Sequence, residues 1–221
     1  MNLLMIDTSN QPMSIAIMQN DTVLAETTSE DKRDHSSQLM PGIQHLFEEA
    51  KIEKNDIDGI VVAKGPGSYT GVRIGVTTAK TLAYALNTKL YGVSSLAALA
   101  ATVKNDKQKL LVPIIDARRE AVYTGVYQNV DGNITTIIKD QYLPIEELKK
   151  QLTEMNQPFL YVGRDADKLS EHLGGEIKNN LPHAPTMKQL ITKSEPIHTF
   201  VPNYIKLSEA ERNWLNQQKQ N

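Results

Sequence analysis

Leu-Leu-Val-Pro-Ile-Ile-Asp, at residues 110–116, is a short apolar run that ends in an aspartate. Leu-Leu-Met-Ile-Asp, at residues 3–7, has the same form at the start of the chain. An apolar run of this length, bounded by polar residues, is typical of a buried strand. In both places two more strand-like segments follow after short turns. The chain therefore divides into two halves that begin alike, with strands that end at Asp7 and Asp116.

The segments after each opening strand recur in the same order, with alternating or continuous apolar runs for strands and a three-to-four residue apolar period for helices. In the first half we predict strands at 14–18, 22–25, 60–63 and 90–93, and helices at 36–50, 70–86 and 94–103. In the second half we predict strands at 121–127, 134–138 and 159–162, and helices at 145–152, 164–173 and 207–218.

Each half thus has the order β-β-β-α-β-α, although the two halves are not similar in sequence. This duplicated plan predicts an α/β fold with two mixed sheets, each flanked by helices. We place the first lobe at residues 1–105 and the second, with a short closing helix, at 106–221. The same plan occurs in the actin, hexokinase and sugar-kinase superfamily, whose interlobe cleft binds a nucleotide. A fold analogy does not by itself assign an activity.

Composition excludes several classes of protein. The chain has no cysteine, so it can form neither a disulfide nor a thiolate metal site. The formal net charge is −2, and the basic pairs are short and scattered, so we do not expect strong RNA binding by this chain alone. The first ten residues lack the basic region of a signal peptide, and no apolar run is long enough to cross a membrane. We expect a cytoplasmic protein.

Two polar segments at strand ends are candidates for chemistry. In Asp7-Thr8-Ser9 the carboxylate could orient a hydrated magnesium ion and the hydroxyls could hold a phosphate, or the tripeptide could form an Asx turn that only reverses the chain. The segment from Asp116 to Glu120 contains two arginines and could clamp a substrate or form an ion-pair cluster between the lobes. The residues alone leave both alternatives open.

The most distinctive segment, residues 64–75, is rich in glycine and joins a predicted buried strand to a predicted helix. A glycine-rich turn into a helix can bind an anion, but this one matches neither the P-loop nor the dinucleotide-binding fingerprint. In the following helix Gly71, Gly75, Ala79 and Ala83 recur every four residues. An interior glycine costs a helix roughly 1 kcal/mol relative to alanine, which favours close packing along this stripe. The stripe could face the chain's own sheet or a helix of a partner.

These segments together resemble the TsaB (YeaZ) family. The resemblance rests, in chain order, on Asp-Thr-Ser at 7–9, His-Ser-Ser-Gln-Leu-Met-Pro at 35–41, Gly-Pro-Gly-Ser-Tyr-Thr-Gly-Val-Arg-Ile-Gly at 65–75, Ala-Lys at 79–80, Asp-Ala-Arg-Arg-Glu-Ala-Val-Tyr at 116–123, Pro-Asn-Tyr-Ile-Lys at 202–206 and Glu-Ala-Glu at 209–211. It implies an actin-like ATPase fold and a paralogue relationship to the catalytic TsaD, or glycoprotease, family. It also implies a complex with a TsaD-type subunit and a TsaE-type P-loop ATPase that makes threonylcarbamoyladenosine in tRNA.

Within that complex the resemblance implies a non-catalytic scaffold, because this sequence lacks the histidine pair that binds metal in the catalytic relatives. We expect no metal site and no required cofactor, with at most weak or vestigial nucleotide binding in the cleft near Asp7, Thr8, Ser9 and Asp116. We expect tRNA to be reached only through the complex. A stand-alone phosphotransferase and a peptidase remain as alternatives, although no nucleophile and base set is visible.

The resemblance also implies that the helices at 36–50 and 70–86 form the interface with the catalytic subunit. When the chain is alone, we expect a homodimer through the same helices. We further expect a larger side chain at Gly75 to point outward and to leave the fold intact. The residues expected at the interface are Leu39, Ile43, Leu46, Gly71, Gly75, Ala79 and Leu82.

Overall fold

The computed structural model describes residues 1–30, 35–104 and 108–206 of the chain. Its first lobe is built on a five-stranded sheet with the strand order β3-β2-β1-β4-β5. The strands are β1 (Asn2–Asp7), β2 (Met13–Gln19), β3 (Thr22–Ser29), β4 (Gly59–Ala63) and β5 (Lys89–Val93). The helices are α1 (His35–Ala50), α2 (Tyr69–Ala85) and α3 (Ser95–Ala100), with a 3-10 turn at Lys54–Asp56.

The second lobe repeats this arrangement with the strand order β10-β9-β6-β7-β8. Its strands are β6 (Leu110–Asp116), β7 (Ala121–Val130), β8 (Asn133–Pro144), β9 (Phe159–Val162) and β10 (Ile177–Lys178). Its helices are α4 (Ile145–Met155), α5 (Arg164–Lys168) and α6 (Ser170–Leu173), and a 3-10 helix follows at Ala184–Leu190.

The two sheets have the same topology. β1 pairs antiparallel with β2 and parallel with β4, and β6 pairs antiparallel with β7 and parallel with β9. β1 and β6 are therefore equivalent central strands, and Asp7 and Asp116 stand at their equivalent carboxyl ends. This is the duplicated architecture of the actin-like ATPase fold, so the predicted fold class is confirmed. No helix among the described residues is long and apolar enough to span a bilayer.

Several elements differ from the prediction in length or continuity. α3 ends at Ala100 rather than near residue 103, and the helix predicted at 164–173 is two short helices that meet at Leu169. The pattern did not predict β10 or the 3-10 helix after it, because β10 has only two residues and the 3-10 helix is a short, proline-containing segment. The helix predicted at 207–218 lies outside the described residues.

The chain returns to the first lobe after β10. Ala184 and Met187 are fully buried in a cluster with Leu3 and Met5 of β1, and Phe200 joins the cluster between that sheet and helices α1 and α2. Glu195 forms a bridge with Leu90 at the edge of β5. Residues from about 184 to 200 therefore complete the core of the first lobe, although the expected boundary assigned them to the second.

Candidate functional site

A polar cavity of about 400 Å³ lies between the carboxyl ends of β1 and β6. The β1 side contributes the residues after Thr8, and the glycine-rich loop contributes the start of α2. The second lobe contributes the turn after β6 and the start of α5. The lining residues are Ser9, Asn10, Gln11, Gly67, Ser68, Tyr69, Thr70, Ile115, Asp116, Ala117, Arg118, Tyr123 and Asp165.

Asp7 does not line this cavity and is only 2% exposed. Its Oδ1 accepts hydrogen bonds from the backbone N–H of Ser9 at 2.9 Å and from the hydroxyl of Ser9 at 2.6 Å. Burial raises the pKa of Asp7, and the two bonds from Ser9 oppose that rise. The carboxylate thus forms an Asx turn, which is the structural one of the two alternatives given for Asp7-Thr8-Ser9. Its Oδ1 is held by Ser9 inside this turn, and the side chain is not among those that line the cavity.

Thr8 is also buried, and it fixes the start of α2 against β1. Its hydroxyl donates to the carbonyl of Gly71 at 2.7 Å. A Cβ added at Gly71 would lie 2.1 Å from the carbonyl oxygen of Thr8, and one added at Gly75 would lie 2.3 Å from the hydroxyl of Thr8. Side chains do not fit at these distances. The two glycines therefore allow α2 to pack directly on the turn that follows β1.

The small-residue stripe of α2 consequently faces the chain's own sheet. Gly71, Gly75, Ala79 and Ala83 are all buried within the single chain. This settles the alternatives left open by the sequence, and the expectation that a side chain at Gly75 would point outward is wrong. Of the expected interface residues, Leu39, Ile43 and Leu46 are also buried in the core, whereas Leu82 is partly exposed.

The equivalent end of β6 has a different construction. Asp116 is exposed to the cavity, its backbone N–H donates to Asp165 at 3.0 Å, and its carboxylate accepts from the backbone N–H of Arg118 at 2.7 Å. Arg118, Arg119 and Glu120 all have positive φ, between 54° and 63°. Non-glycine residues adopt this left-handed conformation at some cost, so the surrounding contacts must hold the turn.

The segment Pro-Asn-Tyr-Ile-Lys at 202–206 spans the two lobes. The backbone N–H of Asn203 donates to the carbonyl of Lys64 in the first lobe at 2.7 Å. The hydroxyl of Tyr204 accepts from Nε of Arg73 at 2.7 Å. Nζ of Lys206 donates to the carbonyl of Ala117 in the second lobe at 3.2 Å. This segment could be identified from the sequence only through the family resemblance. Contacts between residues so far apart in the chain produce no local sequence pattern.

A second surface feature is an apolar groove between α1 and α2, on the outer side of the first lobe. Met40 in its wall is 48% exposed, which is high for a large apolar side chain beside a buried core. Ile43 and Leu82, both expected at an interface, contribute to its floor and wall. The groove is lined by Leu4, Met40, Pro41, Ile43, Gln44, Phe47, Lys54, Leu82 and Leu86.

The structure thus separates the four residues expected in the cleft. Ser9 and Asp116 line the cavity, whereas Asp7 and Thr8 do not. Within residues 1–30, 35–104 and 108–206, no three His, Asp or Glu side chains lie close enough together to hold a metal ion. Arg118 and Asp165, which line the cavity from the second lobe, were not predicted individually. The polar side chains that line the cavity in the described part of the chain are hydroxyls, two carboxamides, two carboxylates and one guanidinium.

Comparisons with known proteins agree with this architecture. Residues 22–214 match the family model described as TsaD: tRNA N6-adenosine threonylcarbamoyltransferase. The Bacillus subtilis (strain 168) tRNA threonylcarbamoyladenosine biosynthesis protein TsaB is 40% identical over 230 residues, which cover 99% of this chain and 100% of that protein. The protein of the same name from Buchnera aphidicola subsp. Schizaphis graminum is 26% identical, covering 86% of this chain and 90% of that one.

A solved structure, YeaZ from Pseudomonas aeruginosa, superposes on this chain with a TM-score of 0.82. It is 26% identical in sequence, and the superposition covers 92% of this chain and 99% of that one. The similarity therefore extends over both lobes and the segment that joins them.

Proposed function

Since this chain belongs to the TsaB family and has a role in tRNA threonylcarbamoyladenosine biosynthesis, we propose that it acts there as a non-catalytic subunit. It pairs with a TsaD-type catalytic subunit, supports that subunit's activity and helps to recruit a TsaE-type P-loop ATPase. It needs no cofactor of its own, and any nucleotide binding in its cleft is weak. The tRNA is reached through the assembled complex.

The observation that carries this proposal is the Asx turn at the end of β1. A nucleotide-dependent phosphotransferase of this fold needs a carboxylate that faces the cleft to orient the metal. Here the carboxylate of Asp7 is buried and accepts two hydrogen bonds from Ser9. The glycine contacts of α2 with Thr8 hold this turn in place. The end of β1 therefore holds a buried turn, at the position where a phosphotransferase of this fold has a carboxylate that faces the cleft.

The groove between α1 and α2 supports the pairing. Its apolar walls are exposed in the single chain, and an exposed apolar groove of this kind is typical of a protein contact site. Two helices of the partner would lie on α1 and α2 and form a four-helix bundle. Direct contacts then come from the groove residues Met40, Gln44, Leu82 and Leu86. The buried Gly71, Gly75 and Ala79 act indirectly, because they set the position of α2.

The same groove is the proposed contact when the chain is alone. A second copy could place its own α1 and α2 on the groove in a symmetric, isologous dimer. The homodimer and the heterodimer would then exclude each other, since both cover the same residues. Adding the catalytic subunit should convert the homodimer into the heterodimer.

The proposal is tested with Met40→Asp and the catalytic paralogue. A carboxylate in the apolar groove should weaken the complex at least about tenfold, which corresponds to about 1.4 kcal/mol. Val130→Asp is the matched control, because Val130 is 46% exposed in the second lobe, far from the groove in sequence and in fold. Titration calorimetry measures the affinity and a melting curve checks the fold. Equal affinities for both variants would exclude the groove as the contact.

Activity assays separate the proposal from its alternatives. The purified chain alone should not modify tRNA, and the reconstituted complex should. Turnover of ATP with small acceptors by the chain alone would favour the stand-alone phosphotransferase, and cleavage of fluorogenic peptides would favour the peptidase. Either activity, retained after further purification, would contradict the non-catalytic assignment.

A further inference from the structure

Helix α3 is shared by the two lobes. It follows β5, the last strand of the first sheet, and Ala98 packs in a core cluster of that lobe. Leu96 and Leu99 instead lie in a cluster with Leu111 of β6 and Leu160 of β9, in the second lobe. The helix is therefore part of the core on both sides, and a change in the angle between the lobes must either move it or break one of its two contacts.

Two adjacent serines at the start of α3 each bond to a different lobe. The Ser95 hydroxyl accepts from the backbone N–H of Gly65 at 3.1 Å, which holds the glycine-rich loop of the first lobe. The Ser94 hydroxyl accepts from the N–H of Ala97 at 3.1 Å, as a helix cap, and donates to Oδ2 of Asp140 on β8 at 2.6 Å. The adjacent residues Ser94 and Ser95 therefore connect the glycine-rich loop of the first lobe to β8 of the second lobe.

Asp140 is held by hydroxyl groups. Its Oδ1 accepts a hydrogen bond from the hydroxyl of Tyr127. The Tyr127 residue is only 1% exposed. Across residues 1–30, 35–104 and 108–206, no lysine, arginine or histidine forms an ion pair with it. Burial raises the pKa of Asp140, and the bonds from Ser94 and Tyr127 oppose that rise. A partly buried carboxylate without a cation depends on such bonds, so the geometry of this cluster is tightly specified.

The segment just after α3 is also held by the second lobe. The buried side-chain amide of Asn129, on β7, donates to the carbonyl of Val103 at 2.9 Å. The side-chain amide of Asn180 donates to the hydroxyl of Thr102 at 2.8 Å. Lobe closure in two-lobed proteins needs a few residues that absorb the change in backbone angle. Here the connecting element is bonded at its start and just after its end.

We propose that Asp140, bonded to Ser94 and Tyr127, is a latch that fixes the angle between the two lobes. The cleft then keeps one width, whether or not a small molecule enters it. The latch also couples the glycine-rich loop to β8, through the adjacent Ser94 and Ser95. The surfaces of the two lobes are consequently held in one fixed orientation relative to each other.

The test measures the distance between the lobes directly. Because the chain has no cysteine, Asn55→Cys in the first lobe and Glu154→Cys on α4 give two specific spin-label sites, both exposed. Pulsed electron paramagnetic resonance then reports the distance distribution. We expect one narrow distribution that magnesium–ATP does not shift. Asp140→Ala should broaden it, and Tyr127→Phe, which removes one of the two bonds, should broaden it less.

Lys139→Ala is the matched control, since Lys139 is the exposed neighbour of Asp140 on β8 and should leave the distribution unchanged. If Asp140→Ala does not fold, Tyr127→Phe decides the result, because it keeps the ring in the core. A shift of the parent distribution on addition of magnesium–ATP would overturn the proposal. Folded Asp140→Ala and Tyr127→Phe proteins with the parent's distribution would overturn it as well.

Discussion

The ends of β1 and β6 occupy the same place in two copies of one topology, yet they are built differently. Asp7 is buried and accepts two hydrogen bonds from Ser9, whereas Asp116 is exposed to the cleft. At the first end the chain reverses in an Asx turn covered by a long helix. At the second end three consecutive residues adopt positive φ in an open turn. Topology places both aspartates at the cleft, but packing decides whether either one faces it.

The helix that follows the neighbouring parallel strand explains the difference. In the first lobe α2 has 17 residues, and its glycines let it lie directly on Thr8. In the second lobe the equivalent α5 has 5 residues and contributes Asp165, which accepts the N–H of Asp116. A long helix packed through glycine closes one end, and a short helix leaves the other open. The local packing of the helix, more than the sheet order, therefore determines which side chains are available at each strand end.

The largest expected effect comes from forcing α2 away from β1. Gly75→Leu places a side chain where an added Cβ already lies 2.3 Å from the hydroxyl of Thr8. We expect a loss of about 3 kcal/mol in the free energy of unfolding, at the upper end of the usual cost of overpacking. Urea unfolding followed by circular dichroism measures it. Thr77→Leu, at an exposed position of α2, is the control and should change stability by less than about 0.5 kcal/mol.

A parent-like stability of Gly75→Leu would show that α2 can shift without cost, and the distinction between the two strand ends would then not depend on close packing. The same variant also separates two roles of the stripe. If its affinity for the catalytic paralogue falls while its stability is unchanged, the larger side chain displaces α2 at the groove without destabilising the core.

The two aspartates themselves provide the next comparison. Asp7→Ala removes the acceptor of two buried donors, the N–H and the hydroxyl of Ser9, and should cost about 1–3 kcal/mol. Asp116→Ala removes the acceptor of one N–H in an exposed turn and should cost less than about 1 kcal/mol. Chemical denaturation measures both. Because neither carboxylate has a chemical role in the proposed function, tRNA modification by the reconstituted complex should stay nearly unchanged at temperatures where both variants are folded.

A loss of modification by orders of magnitude in Asp116→Ala, with complex assembly intact, would show that the open end of the cleft takes part in the reaction. The same loss in Asp7→Ala would contradict the interpretation of the β1 end as a structural turn. Equal costs in stability would mean that burial of Asp7 has no energetic consequence.

The repeated β-β-β-α-β-α order was accessible from the sequence because each long element has a clear apolar period. The stripe at Gly71, Gly75, Ala79 and Ala83 was also visible, but a four-residue period is the same whether a helix packs on its own sheet or on a partner. The neighbour is determined by contacts such as that of Gly71 with Thr8, which lie 63 residues apart in the chain. Residues distant in sequence thus decided what the local pattern left open.

The site was less predictable than the fold for a similar reason. An Asp at a strand end looks the same in sequence whether it faces a cleft or accepts from its own turn, so Asp7 and Asp116 appeared equivalent. The latch residues Ser94, Tyr127 and Asp140 carry no spacing signal, because they meet only when the two lobes pack. Polar residues such as these are common throughout a sequence, so only the tertiary structure shows that they form an interlobe contact.

The smallest expected effect concerns pH and again contrasts the two ends. Burial raises the pKa of Asp7 in the folded protein, so between the unfolded and folded pKa values the folded chain binds more protons than the unfolded one. The stability that this group contributes is therefore present at low pH and is lost as the pH rises through the folded pKa. Asp7→Asn keeps an acceptor oxygen for the turn but does not titrate. Its stability relative to the parent should thus increase as the pH rises above about 4.

Urea unfolding at several pH values, from mildly acidic to neutral, measures this difference for each variant. Asp116→Asn is the matched control, because it makes the same chemical change at the exposed end of β6. A stability difference between the parent and Asp7→Asn that does not depend on pH would mean that the carboxylate is as well solvated as an exposed one. The two strand ends would then be electrostatically alike, and the burial of Asp7 would not separate them.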